Sequence, residues 1–273
     1  MNTDLVTFLH QKIVKKFEEN KVFMELSIDQ KNTLIDEIKQ KLKADYPVDY
    51  ILGEVEFLDL KLAVKEGVFL PREETQWWIL EIVKAKFKQK SIFQKALANQ
   101  IFESNCVLDV ASGSGVVGLS LAKYFGSVLA VEKNLLPFGV SRQNADRNKL
   151  WNYRVFCSNL ITNNLLKNKL ASQKKWILCT NLPYVPQSDF DFKDRNKLTF
   201  EPKTAIYSGW DGLSHFRLLI KQIAKLPNPP SAVFFELDPR NIAKARKIAK
   251  NIYTKTKIYK DQSNKPRLLV GWI

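Results

Sequence analysis

The sequence predicts a doubly wound α/β sheet preceded by a small helical head. Three observations lead there. Short apolar runs at 106–110, 127–132, 153–158, 176–180 and 231–237 have the length and flanks of buried parallel strands. Helix-period segments at about 115–125, 135–147, 211–226 and 239–250 lie between most of them. Ahead of these, residues 1–46 show helical periodicity only.

The head begins with Leu5, Leu9, Ile13 and Phe17 at i, i+4 spacing and Phe8 beside them, an amphipathic helix over 3–18. Ser27-Ile28-Asp29-Gln30 has the S-x-x-Q form of a capping box. Behind it Leu34, Ile35, Ile38 and Leu42 share one face, and Pro47 ends the helix. Two such helices bury little alone and must dock onto something else. Between Tyr50 and Pro71 the period becomes two: Leu58, Leu60, Leu62 and Val64 alternate with Asp59, Lys61 and Ala63, while Gly53 and Gly67 punctuate. This predicts a linking β-hairpin. A helix over about 75–88 follows Pro71, with Trp78, Ile82 and Val83 inward. At the far end Lys257–Asp261 and Arg267–Ile273, separated by four polar residues, predict a terminal hairpin and hence an antiparallel edge. The expected division is a helical head at 1–46, a hairpin linker at 47–71 and the main domain at 72–273.

With 273 residues, 45% of them hydrophobic, the chain can bury a core for one α/β domain and an accessory unit. No run approaches the ~18–20 apolar residues of a membrane span. The first ten residues include Asp4 and no continuous apolar stretch, so no signal peptide or membrane association is expected, and the cytoplasm is the expected location. Cys106, Cys157 and Cys179 lack C-x-x-C spacing and each falls in a predicted strand, as buried thiols do. His10 and His215 stand far apart, leaving no basis for a metal site or a Ser-His-Asp triad. The net charge of +15 fits either a polyanionic neighbour, such as RNA or a ribosome, or plain surface solvation. The densest basic stretch runs from Lys244 through Arg246, Lys247 and Lys250 to Lys260.

Chemistry enters where Cys106–Val110 runs into Ala111-Ser112-Gly113-Ser114-Gly115. A strand leading through glycines into a helix is a cofactor cradle, because glycine allows tight turning and close approach of a ligand to the backbone. Gly113, Gly115 and Gly118 satisfy G-x-G-x-x-G. Glu132 ends the next strand, roughly 20 residues beyond Asp109, where an acid can accept ribose hydroxyls. A nicotinamide dinucleotide and S-adenosylmethionine both suit this half. The strand at 176–180 ends in Asn181-Leu182-Pro183-Tyr184, which is similar to the (Asn/Asp)-Pro-Pro-Tyr signature of methyltransferases acting on nitrogens conjugated to a planar group. The lone pair of such a nitrogen is delocalised. The Asn181 oxygen and the backbone carbonyl at 182 can accept its N–H bonds, Tyr184 can pack on the planar group, and positioning then does the work.

The sequence resembles the PrmC/HemK family of protein-(glutamine N5) methyltransferases over about residues 48–273. Four segments carry the resemblance: Tyr50-Ile51-Leu52-Gly53-Glu54 with Phe57; Pro71-Arg72-Glu73-Glu74-Thr75; the glycine loop with the Asn181 motif; and Phe200-Glu201-Pro202 with Ala205, Gly209 and Asp211-Gly212-Leu213. The resemblance implies a Rossmann-like class I methyltransferase sheet, S-adenosylmethionine as cofactor, and the Gly-Gly-Gln loop of a class I peptide chain release factor as substrate. It implies that Asp109, Ala111, Ser112, Gly113, Ser114, Gly115, Glu132 and Asn181 contact the cofactor, with Asn159 and Leu160 flanking its adenine. Asn181, Leu182, Pro183, Tyr184, Glu201 and Pro202 would hold the substrate, and Asn181, Pro183 and Tyr184 would carry catalysis. The chain departs from the family pattern at Ala111 (glycine), Asn159 (aspartate), Leu160 (aromatic), Leu182 (proline) and Glu73 (proline). Ala111 is tolerable there if its φ is negative, and Leu182→Pro is expected to be mild or even favourable, since the carbonyl is kept and the loop stiffened. The Asn-Leu-Pro-Tyr form also occurs in rRNA adenine dimethyltransferases, so an RNA N6-adenine methyltransferase is the second reading. A non-catalytic binding module on the same fold is a third, and a nicotinamide dehydrogenase a fourth.

Overall fold

The computed structural model describes residues 3–19, 21–189 and 200–273. Three helices open the chain: α1 (Thr3–Glu18), α2 (Lys21–Glu25) and α3 (Ile28–Lys43). The capping box forms as expected, with Gln30 N donating to Ser27 Oγ at 3.2 Å and Ser27 N donating to Gln30 Oε1 at 2.9 Å. Val6, Ile13, Ile38 and Leu42 make a small core of their own, flanked by Leu9, Phe17 and Leu34; the Leu5 side chain lies outside the described residues. This head docks on Val48, Ile51 and Leu52 of a short helix, α4 (Val48–Leu52), which Gly53 terminates at φ +71°.

The hairpin follows as β1 (Glu54–Phe57) and β2 (Leu60–Ala63), paired antiparallel. The predicted strand across Leu58 breaks there: Leu58 adopts φ +52° and the chain turns at Leu58-Asp59, so alternation resumes only at Leu60. Next come α5 (Glu73–Lys86) and α6 (Lys95–Glu103). The main sheet is built from β3 (Cys106–Val110), β4 (Ser127–Glu132), β5 (Tyr153–Cys157), β6 (Trp176–Thr180), β7 (Ala232–Glu236), β8 (Lys255–Lys260) and β9 (Pro266–Trp272). Its order is β5-β4-β3-β6-β7-β9-β8; β9 alone runs antiparallel, so the reversed strand lies one in from the edge and β8 at the edge runs with the rest. The connections carry α7 (Val116–Ala122), α8 (Leu135–Arg147), α9 (Asn164–Ala171), α10 (Lys203–Ile206), α11 (Ser214–Ile223) and α12 (Ile242–Ala249). Two apolar layers, one on each face, cover the sheet. Among the described residues no helix is long and apolar enough to cross a membrane.

The sequence did not announce α6 or α9. Each buries a single i, i+4 pair, Leu97 with Ile101 and Leu166 with Leu170, one interval of a period and too little to distinguish. Cys157 is exposed, unlike Cys106 and Cys179, because it ends the outermost strand.

The hairpin is more than a linker. Phe57, Leu60 and Leu62 belong to the main core, and the outer edge of β2 is capped by amides of α8. Ala63 N donates to Asn144 Oδ1 at 2.6 Å and Asn144 Nδ2 returns a bond to Ala63 O at 3.1 Å; Lys61 and Asn148 exchange bonds of 3.2 and 3.0 Å in the same way. A helix rises ~6 Å over four residues and a strand ~6.7 Å over two, so two side chains one turn apart serve two successive edge residues. Asn144 Nδ2 also donates to Ser114 O at 2.9 Å, tying the hairpin to the glycine loop.

Glu54 joins three units: one oxygen accepts Lys16 of α1 at 2.7 Å and the other accepts Arg147 of α8. These partners hold its carboxyl down at about 2, below the ordinary 4.5. A lowered folded pKa stabilises above the unfolded value, and that contribution is lost as pH falls through about 2. Because the group is partly exposed, Glu54→Gln should cost about 1 kcal/mol at neutral pH. Denaturant titrations at stepped pH should show the difference shrinking below about pH 4.5 and gone near pH 2; a pH-independent difference would contradict the ion-pair account.

Candidate active site

The site lies where β3, β4 and β6 end. Val110 is level with Val131 on one side and Thr180 on the other, so Ala111, Glu132 and Asn181 emerge side by side at the carboxyl edge. This is the point where strand order reverses and where open α/β sheets bind ligands. Thr180 Oγ1 donates to Val110 O at 2.6 Å, joining β6 to β3 at this edge. The cavity above has a volume of about 490 Å³, in the range of small-molecule sites.

Its floor is the glycine loop. Ser112 N donates to Val131 O at 3.0 Å, Gly113 N to Glu132 Oε2 at 3.1 Å and Asn134 N to Glu132 Oε1 at 2.8 Å. Each oxygen of the buried Glu132 carboxylate thus takes one backbone N–H and keeps capacity for another donor. The glycines divide their work. A Cβ at Gly113 would meet nothing within 4 Å, so this glycine keeps the loop's face open. A Cβ at Gly115 would strike Leu119 and Ser141 at 2.8 Å, and one at Gly118 would strike Tyr153 at 2.7 Å, so these two pack against what lies behind. Ser114 Oγ faces the cavity wall, buried and without a hydrogen-bond partner among the described residues.

Of the residues expected at the site, Ala111, Ser112, Gly113, Ser114, Glu132, Asn159, Leu160, Asn181, Leu182, Pro183 and Pro202 line this cavity. Asp109, Gly115, Tyr184 and Glu201 do not; they stand behind its wall. Asp109 is buried beneath the loop, accepts Gly118 N at 2.8 Å, and is pushed up to about 7 by burial. It anchors the first turn of α7. Tyr184 packs against the core layer with its hydroxyl 3.5 Å from Glu236 Oε1, and burial pushes its phenol well up. The aromatic ring expected to cover a planar substrate therefore braces the Asn181 loop from below. Glu201 pairs with Arg72 and accepts Leu70 N at 3.4 Å, fastening the Phe69–Arg72 wall to the segment before Pro202. Burial raises its carboxyl above the ordinary range, Arg72 opposing.

The condition set for one departure fails, and the other departure carries a packing role. Ala111 has φ +58°, in the left-handed region that a Cβ disfavours, because the chain must turn sharply from β3 toward Ser112. Leu182 is buried in the core, so replacing it with proline would remove apolar packing as well as stiffen the loop.

Sequence reasoning missed three contributors. His215 lines the cavity. Its own N–H donates to Ser208 Oγ at 3.0 Å and its Nδ1 lies 2.8 Å from the same oxygen. Burial, then Lys133, lowers its pKa. The only signal was its place just past Asp211-Gly212-Leu213. Thr75 lines the cavity too and accepts Asn181 Nδ2 at 3.2 Å. Thr75 Oγ1 donates in turn to Glu236 Oε2 at 2.7 Å, which also accepts Trp78 Nε1 at 2.9 Å. Glu236 was legible only as an acid closing an apolar strand.

No family model matches the chain. Among solved structures, the hMettl16 catalytic domain in complex with the MAT2A 3′UTR hairpin 1 aligns at a TM-score of 0.60 with 14% identity, covering 80% of this chain and 75% of that one. Human methyltransferase 10 domain containing protein aligns at 0.54 with 13% identity, covering 78% of this chain and 88% of that one. The sheet order is that of a Rossmann-like class I methyltransferase, and the curated relatives make it an S-adenosylmethionine-dependent enzyme. Curated relatives narrow the class. Release factor glutamine methyltransferase of Rhodopirellula baltica is 24% identical over 271 residues, 97% of this chain and 86% of that protein; the protein of the same name from Enterococcus faecalis is 26% identical over 235 residues, 85% and 77%. Over most of its length the chain is thus similar to release factor glutamine methyltransferases, in line with its resemblance to the PrmC/HemK family.

The left-handed Ala111 yields a direct test. Ala111→Gly should stabilise the protein by about 0.5–1 kcal/mol, the relief of a Cβ at positive φ less the added chain entropy of glycine. Thermal or denaturant unfolding measures this, and a destabilised variant would refute the strain.

Proposed function

We propose that the protein transfers a methyl group to the side-chain amide nitrogen of the glutamine in the Gly-Gly-Gln loop of a class I peptide chain release factor. The observation that carries this reading is the Asn181 amide in the cavity wall, its Nδ2 bonded to Thr75 and its Oδ1 without a described protein partner, beside the floor formed by Glu132 and the glycine loop.

The residues suit the cofactor. Glu132 has acceptor capacity left for ribose hydroxyls, Ser114 Oγ has a hydroxyl to satisfy, and Gly113 leaves room for close approach. Asn159 and Leu160 would flank the adenine. When bound, S-adenosylmethionine supplies an electrophilic methyl on a sulfonium. The chain's task is to make a poor nucleophile competent. Asn181 Oδ1 and the Leu182 carbonyl accept the two N–H bonds of the substrate amide, which turns its nitrogen toward the methyl. Pro183 restricts the loop, Tyr184 supports it from behind, and Pro202 contributes to the substrate wall. Fixed dipoles in a mostly apolar cavity need no reorganisation during transfer.

On this reading the enzyme acts in the cytoplasm, and its +15 charge suits approach to a protein that works beside ribosomal RNA. Relatives named for release factor glutamine support the substrate.

Asn181→Ala should lower methyl incorporation into a release factor by roughly 10²–10³-fold, the effect of losing one preorganised dipole, while cofactor affinity changes much less. The assay uses labelled S-adenosylmethionine with release factor and rRNA in separate arms. Near-normal turnover would sink the mechanism, and label in rRNA alone would favour the adenine methyltransferase. Glu132→Ala should weaken cofactor binding by about 1.5–3 kcal/mol in calorimetry; unchanged affinity would remove Glu132 from the cofactor site.

A further inference from the structure

We infer that Glu236 is a positioning residue: acting through the Thr75 hydroxyl, it fixes which end of the Asn181 amide faces the cavity and so gives the wall the polarity that selects a neutral amide over a carboxylate. The selected group rests on the reading above; the orientation does not.

The polarity follows from donors that have no choice. Indole Nε1 of Trp78 can only donate, so Glu236 Oε2, 2.9 Å away, is an acceptor. Thr75 Oγ1 lies 2.7 Å from that same oxygen and must spend its one hydrogen there. The Thr75 oxygen is left to accept, and the group 3.2 Å from it must be a donor, namely Asn181 Nδ2. Asn181 Oδ1 is thereby the end presented to the cavity. An amide whose two ends are alike in shape is oriented by its network, and this network leads back to one buried carboxyl. Glu236 is 1% exposed at the end of β7, and Trp78 and Thr75 both lie on α5, so helix packing holds the relay together. This polarity is that of an unprotonated Glu236 Oε2, the acceptor to which both Trp78 and Thr75 donate.

Were the amide reversed, its NH₂ would face the substrate. It would then repel the N–H bonds of glutamine and welcome the oxygens of glutamate. The relay therefore governs both turnover and the choice between these two side chains.

Four variants test this in the full-length protein. Glu236→Gln can turn its carbonyl to Trp78 and Thr75 and its NH₂ to Tyr184, so turnover on release factor should stay within about threefold of the parent. Thr75→Ser keeps the hydroxyl and should behave likewise. Glu236→Met and Thr75→Val cut the relay at different links. Each should lower kcat about 10–100-fold, leave cofactor Kd within about twofold, and narrow the preference for a Gly-Gly-Gln peptide over its Gly-Gly-Glu counterpart by about tenfold or more. Thr75→Val is nearly isosteric, so it keeps the test open should Glu236→Met fold poorly. A second readout needs no substrate. The Asn181 side-chain NH₂ signal, assigned by its absence in Asn181→Asp, should exchange slowly with solvent in the parent and in Glu236→Gln, and about tenfold faster in Thr75→Val. Lower melting temperature and weaker cofactor binding with an unchanged glutamine preference would make Glu236 merely structural and overturn the inference. If the parent methylates no release factor, the functional reading fails instead, and exchange decides the relay: equal protection in parent and Thr75→Val would overturn it.

Discussion

Three parallel strands, β3, β4 and β6, finish in one plane, and everything chemical about this protein is arranged by that register. Val131, Val110 and Thr180 stand side by side as ladder partners. Shifting any one strand by a residue would turn its next side chain to the opposite face. The Thr180 hydroxyl on Val110 O holds the central pair together where ladder bonds stop. Because the register is set by buried apolar runs on both faces, the loop, the acid and the asparagine reach the same cavity without contacts among themselves beyond Gly113 on Glu132.

Distant segments are then joined to this edge by buried polar groups that each serve two masters. Asn144 caps the hairpin edge and holds Ser114 O; Glu201 holds Arg72 and Leu70 N; Glu236 holds α5 through Thr75 and Trp78. In a weakly screened interior an unmet partner would be costly, so each junction is specific where apolar packing alone would tolerate slippage. The N-terminal head is attached differently, by a small separate core and the partly exposed Glu54 junction.

Much of this was legible in the sequence. Strands 106–110, 127–132 and 176–180 and the helix at 135–147 fall on the residues that periodicity assigned, because long buried segments repeat their signal several times. The glycine loop, Glu132 and Asn181 meet at one cavity as their strand-end positions implied. What sequence could not convey was depth. Asp109 and Glu132 both sit in β-strands near the loop, yet one lies beneath it and the other on its face, a distinction set by which side of the turn each side chain occupies. Tyr184 belongs to the expected motif but turns inward toward Glu236, a residue about fifty positions away. The φ of Ala111 and the Thr75–Glu236 link are likewise properties of the assembled edge, not of any local pattern.

The same distinction between face and backing explains where the chain departs from the family pattern. At Leu182 the proposed chemical contribution is a backbone carbonyl, which any residue supplies, and its side chain packs into the core. At Ala111 the backbone turn matters, and alanine keeps it with some strain. Glu73 is exposed in the first turn of α5, where proline and an acid are both suited, one by its fixed φ and missing N–H, the other by the helix dipole. By contrast, Arg72, Thr75, Asn181 and Glu201 act through particular side-chain atoms bonded to particular partners, and each retains the family's residue type. Asn159 and Leu160 are exceptions at the cavity wall: at Asn159 the charge has changed while an acceptor remains, and at Leu160 an aliphatic side chain stands where the family pattern has an aromatic ring. In this chain Leu182 and Ala111 thus serve through the backbone, while Arg72, Thr75, Asn181 and Glu201 serve through hydrogen bonds that fix particular side-chain atoms, and the boundary between the two runs along the carboxyl edge of the sheet.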